Sequence, residues 1–106
     1  MPDVVTVIAT MKVKPEDEER VLGVLEDVIA ASQGEEGCLK YTLHRAKNQI
    51  GAFSIVEVWR SQDDLDAHFK ESHMAPIAQA LEMLIEPPQI LFCEPMRVGD
   101  SEKGAL

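Results

Sequence analysis

Glu57 and Trp59 stand two residues apart in an alternating stretch, so one strand face carries both a carboxylate and an indole. That pair suits a pocket with an aromatic wall and one acid, since a carboxylate on an otherwise apolar face needs compensation. It also suits a tryptophan that seals an interface, with Glu57 paired to a basic residue at the rim. His68 and His73 form a second group, with Phe69 and Met74 beside them. Histidine titrates near neutrality, with an unperturbed pKa of about 6.5, and is the usual proton-transfer residue. His68 falls three and four residues from Leu65, Ser72 and Asp64, at the margin of a buried helical stripe. The plainer role for both rings is to cap helix-end carbonyls or bind water. For His73, which precedes Pro76 at a chain reversal, that role is the simpler one.

Other chemistries find less. Asp64 and His68 are four apart and, with His73 nearby, begin a metal site, but no His-x3-His pair or second carboxylate cluster completes it. No metal is expected. The glycines form neither a dinucleotide fingerprint nor a phosphate loop. Cys93 beside Phe92 reads as a small buried hydrophobe, and Ser54, Ser61 and Ser72 lack a nucleophile-elbow setting. Met11, Met74 and Met83 are core or cavity wall.

The elements that must position these residues follow from periodicity. Residues 4–14 read as a strand, with Val5, Val7, Ala9, Met11 and Val13 on a wholly apolar face. Pro15 opens a helix whose first turn holds the acidic run Glu16-Asp17-Glu18-Glu19, where the helix dipole favours negative charge. Val21, Val24, Leu25, Val28 and Ile29 make its buried stripe, and Gly34 its C-cap. Strands are expected over 38–46 and 52–60, joined by a loop around Asn48 to Gly51. Phe53, Ile55, Glu57 and Trp59 share one face of the second. Ser61 with Asp64 resembles a capping box, so a helix runs from there to about Ser72. Pro76 begins another helical segment that ends near Ile85, because Pro87-Pro88 cannot continue it. Residues 89–94 form a last strand. One domain thus spans 4–96, and 97–106 is a polar tail.

Strand, helix, strand, strand, helix, strand is the split βαβ order of a ferredoxin-like α+β fold with an antiparallel sheet. Helices cover one face of such a sheet. Ile8, Ile55 and Trp59 are expected on the other, and pairing two sheets in a homodimer would bury them and enclose a cavity. The 106 residues carry nineteen acidic against ten basic side chains, a formal charge of −9. That balance disfavours nucleic acid and anionic membrane surfaces. No apolar run approaches the roughly 18–20 residues that cross a bilayer. Met1-Pro2-Asp3 carries no positive leader region, and Cys38 and Cys93 form no disulfide framework, so a cytoplasmic location is expected.

Three stretches occur in order at sensible spacing: Glu35-Glu36-Gly37-Cys38 followed by Tyr41, then Glu57-Val58-Trp59-Arg60-Ser61, then His68-Phe69-Lys70-Glu71-Ser72-His73-Met74. Together they resemble the antibiotic biosynthesis monooxygenase family over residues 4–96, and most of all its bacterial quinol monooxygenases. The resemblance implies a dimeric α+β barrel that oxidises a quinol or related small aromatic with O2, without flavin, metal or haem. It implies His68 as base, His73 as its neighbour at the pocket mouth and Glu57 as an orienting carboxylate. Trp59 would be the stacking wall, with Ile55, Tyr41, Phe69 and Met74 also lining the substrate. The polyketide-tailoring branch carries an Asn where this chain has Ile55 and a Tyr where it has Leu65. The haem-degrading branch carries an Asn and an axial His where Ile8 and Ala78 stand. A branch that isomerises a phosphorylated sugar would want a cationic pocket, for which this chain offers Lys12, Lys40 and Arg45. Two other functions remain open: a non-catalytic small-ligand-binding or stress-response dimer, and an isomerase of a small phosphorylated metabolite.

Overall fold

The apolar alternation at the start of the chain builds strand β1 (Val5–Lys12) in a computed structural model that describes residues 4–106. The expectation drawn from Met1-Pro2-Asp3 lies outside the described residues. Pro15 opens a single 3-10 turn, Pro15–Asp17, which leads into α1 (Glu18–Gln33) with Glu18 and Glu19 in its first turn. Gly34 caps the helix in a right-handed conformation, with φ −80°. Strands β2 (Cys38–Arg45) and β3 (Ala52–Trp59) form a hairpin. Its loop needs Gly51, whose φ of +84° is left-handed and costs little without a Cβ. Gly51 accepts from the Val13 N–H at 2.8 Å and donates its own to Glu18 Oε2 at 3.1 Å. Arg45 Nε meets the other oxygen of Glu18 at 2.7 Å, so the hairpin turn is tied to the start of α1.

Ser61 caps α2 (Gln62–His68) as expected, its hydroxyl accepting from the Asp64 N–H at 3.2 Å. The helix stops four residues short of Ser72. Lys70 and Glu71 close i to i+3 bonds onto Ala67 and His68, both at 3.1 Å, and Glu71 then turns extended with ψ 139°. A 3-10 turn, Ser72–Met74, carries His73 back toward the core, and α3 (Ile77–Glu82) is shorter than Pro76–Ile85. Strand β4 (Gln89–Cys93) closes the sheet.

The sheet order is β2-β3-β1-β4 and every pairing is antiparallel, which is the ferredoxin-like α+β arrangement expected. One expectation fails. Val5 faces Trp59, Val7 faces Glu57, Ala9 faces Ile55 and Met11 faces Phe53 across the β1–β3 ladder. Residues opposed in an antiparallel pair project to the same side. Ile55 and Trp59 therefore join Val7, Ala9 and Met11 in the core under the helices, with Val21, Leu25 and Leu65. The open face carries Thr6, Ile8 and Thr10 of β1, Ser54, Val56 and Val58 of β3, and Leu91 of β4. Cys93, also on that face opposite Thr6, is half-buried rather than buried. The C-terminal tail lies beside it: Met96, Val98 and Leu106 line a cleft of about 470 Å³ together with Thr6, Ile8 and Val58.

Candidate functional site: a carboxylate shared by two histidines

The last turn of α2 points His68 into the core, where the ring is 1% exposed. The following 3-10 turn delivers His73 to the same place from outside, half-buried. Between them stands Glu35, in the loop that joins α1 to β2. Its Oε2 accepts from His68 Nδ1 at 2.7 Å and from His73 Nε2 at 2.8 Å. Glu71 Oε2 lies 4.0 Å from the other ring nitrogen of His73.

That loop is tied to α2 and to the end of β3. Gly37 runs so close to Asp64 that any side chain there would collide with it. Its carbonyl accepts from the Arg60 N–H at 2.9 Å. The Arg60 side chain then grips Asp64 at 2.8 and 3.0 Å and reaches Glu36 at 3.4 Å. These contacts join α2 to the Glu35 loop. They also use up Asp64: its carboxylate serves Arg60 and Ser61, so the Asp64–His68 pair read from helical spacing does not form. Arg60 and Ser61 hold the Asp64 carboxyl below its ordinary pKa.

On the sheet side, the Trp59 ring lies 4.5 Å from His68 and the Tyr41 ring 6.0 Å, centroid to centroid. Trp59 is fully buried and donates Nε1–H to Glu57 Oε1 at 2.9 Å. Tyr41 faces Glu57 across the β2–β3 ladder. Burial raises the Glu57 pKa, opposed by the Trp59 hydrogen bond and by the His68 ring. Burial, then the neighbouring Glu57 carboxylate, pushes the Tyr41 phenol up as well. The Cys38 thiol is raised by burial and by Glu35 and Glu57, which disfavours a thiolate nucleophile.

Glu57, Trp59, Tyr41, His68 and His73 thus converge, although they come from β2, β3, α2 and the turn after it. Ile55 is deeper in the core, next to this group on the same face of β3. Phe69, 55% exposed, sets its ring 5.5 Å from His68 on the outer side. Met74 is half-buried in the turn that carries His73. The residue that spacing missed is Glu35. Its only signal is its place in the Glu35-Glu36-Gly37-Cys38 stretch, since it lies 33 residues from His68 and 38 from His73.

Beside Glu35 and His73 a cleft of about 480 Å³ opens to the surface, lined also by Glu36, Asp64, Glu71 and Arg60. The inner side is closed, with His68 and Trp59 shielded from solvent. A neutral His68 that gives its Nδ1–H to Glu35 keeps its lone pair on Nε2, an arrangement that can accept a proton from a neighbour.

A ferredoxin-like sheet with a titratable cluster between its inner face and its helices defines a small α+β protein with a built polar core. The chain belongs to the antibiotic biosynthesis monooxygenase family, whose profile matches residues 4–80. It is 28% identical over 89 residues to the uncharacterised sll1783 of Synechocystis sp., a match that covers 83% of this chain and 60% of that protein. The chain thus spans about three-fifths of that cyanobacterial relative. YcnE of Bacillus subtilis, which carries an unproven monooxygenase name, is 28% identical over 87 residues, 81% of this chain and 92% of its own. The structure of Rv0793 from Mycobacterium tuberculosis superposes with a TM-score of 0.83 at 26% identity, covering 92% of this chain and 99% of that one. Among the described residues, no helix is long and apolar enough to cross a membrane.

Proposed function

We propose that this protein is a cytoplasmic, homodimeric, cofactor-independent monooxygenase that oxidises a quinol or related small phenol with O2. The observation that carries the reading is the 2.7 Å bond from His68 Nδ1 to Glu35 against the Trp59 and Tyr41 rings. Glu35 fixes the tautomer, and His68 Nε2 takes the phenolic proton. The phenolate passes an electron to O2, and the two radicals combine at a ring carbon as a hydroperoxide. His68 returns its proton to the peroxide oxygen. The O–O bond then breaks as the ring C–H proton leaves, so one oxygen becomes a carbonyl and the other departs as water. General-base assistance of this kind contributes about 10²–10⁴ in rate. The buried Trp59 and Tyr41 rings keep bulk water from the intermediate.

Substrate reaches His68 only if its outer cover moves, and Phe69 is the exposed ring on that side. The same closure favours a second reading, a dimer that binds a small ligand without turning it over. Oxygen uptake separates the two. Chelator-treated protein is given a panel of hydroquinones and naphthols, with autoxidation subtracted. Saturable uptake that falls about 10²-fold or more in Glu35→Gln supports the oxygenase. Uptake at background across the panel overturns it and leaves the binding dimer.

A further inference from the structure

We propose that Glu35, His68 and His73 form a binding site for a borderline divalent cation of the Zn2+ class. The ligand atoms would be Oε2, Nδ1 and Nε2. This inference does not rest on the oxygenase reading.

The three atoms lie within 4.8 Å of one another. Two imidazole nitrogens and one carboxylate oxygen are a sufficient protein set for Zn2+, with a fourth position left to water or an exogenous ligand. Bond lengths of about 2.0–2.2 Å place tetrahedral ligand atoms about 3.3 Å apart. The observed N···O separations of 2.7 and 2.8 Å must therefore open by roughly half an ångström to admit the ion. Glu35 and His73 both sit in connecting segments at the cleft, outside the sheet and long helices, where such a shift is local.

The surroundings favour a cation. The cleft leading to Glu35 and His73 carries the further carboxylates Glu36, Asp64 and Glu71. Its arginine, Arg60, is already engaged with Asp64 and Glu36. A formal charge of −9 raises the local cation concentration further. A carboxylate for the outer sphere stands near one of the two rings. A histidine that ligates through one nitrogen usually donates its other N–H to a carboxylate. If His73 binds through Nε2, its proton moves to Nδ1, and Glu71 Oε2, now 4.0 Å away, would close by about 1 Å to accept it. If His68 binds through Nδ1, its proton moves to Nε2. An ion here would then take away the lone pair that the proposed base requires. The site would inhibit oxygen chemistry rather than perform it.

The test is a Zn2+ titration of the chelator-treated chain by calorimetry, with 15N spectra of the histidine rings recorded in parallel. The expected result is one ion per chain, weakened about tenfold or more by Glu35→Gln and by His73→Ala, and unchanged by substituting the third histidine, exposed on β2, in His44→Ala. In the wild-type spectra, one ring should shift at Nδ1 and a second at Nε2, while the third stays put. The spectra need no variant to fold, so they decide the matter alone if a substituted chain unfolds. No binding at millimolar Zn2+ overturns the proposal, as does binding that ignores both substitutions or leaves all ring nitrogens unshifted. A working oxygenase with no Zn2+ affinity would discard this site and keep the enzyme, and the converse result would do the reverse.

Discussion

Glu57 shows how a single side chain couples packing to pH. Its carboxyl is buried beside Trp59, and burial raises its pKa from an ordinary value near 4.5. Between that value and the raised folded one, the folded protein holds a proton that the unfolded chain has released. Its contribution to stability is therefore full below about pH 4.5, falls as pH rises through the folded pKa, and is flat above it. Glu57→Gln keeps an oxygen to accept the Trp59 N–H and removes the charge. Chemical denaturation across pH 4–8 should show the variant losing the decline that the wild type shows, and gaining relative stability at the neutral end. Identical slopes would mean that the raised pKa belongs to another group. Glu57 and Trp59 could be paired from the sequence because alternation is local. Glu35 could not be attached to His68 and His73, because their contact depends on how a loop and a turn far apart in the chain are folded together.

At the scale of elements, the loop between α1 and β2 is fixed by steric fit rather than by regular structure. Gly37 has ordinary backbone angles available to any residue, yet a Cβ there would strike the Asp64 side chain. Gly37→Ala should cost about 1–3 kcal/mol, as overpacking does, because the neighbour it meets is gripped by Arg60. Gly23 makes the contrast: it lies within α1, and a Cβ there meets nothing within 4 Å. Gly23→Ala should stabilise by about 0.5–1 kcal/mol through helix propensity alone. Denaturation midpoints moving in opposite directions would establish that fit, not glycine flexibility, holds the Glu35 loop. If both move upward, Asp64 yields and the loop is softer than its contacts suggest. The N-cap at Ser61 and the apolar face of β1 were readable because each needs only neighbours in sequence. The side of the sheet on which Trp59 lies was not. β3 is apolar on both faces, with Phe53, Ile55 and Trp59 on one and Val56 and Val58 on the other, and only its register against β1 chooses between them.

At the scale of the whole molecule, that register changes the argument for a dimer without removing it. Trp59 and Ile55 are covered by this chain's own helices and need no partner. What remains partly uncovered is the far side of the sheet, where Thr6 and Val58 are buried but Ile8 is not, and its β4 edge. Ile8 is 37% exposed there, and Ile90, Leu91 and Phe92 are 48%, 62% and 60% exposed along an edge strand. Three successive exposed apolar residues on a free edge invite pairing with another chain, and a protein that stays soluble must cover or blunt them. A second copy packed on this face would do so, and a stable interface of that kind buries about 1,200–2,000 Å². Sedimentation at micromolar concentration should then return twice the 11.8 kDa chain mass. Ile8→Lys with Leu91→Lys should return a monomer that keeps its far-UV spectrum, since neither residue belongs to the helix-side core. A wild-type monomer would assign the cover to the chain's own tail, which already lines the cleft over Thr6, Ile8 and Val58. A dimer untouched by the two lysines would move the interface off this face altogether. Because the Glu35–His68–His73 cluster lies on the opposite side of the sheet, metal affinity should be the same in the lysine variant as in the wild type. That comparison separates assembly from the chemistry of the site.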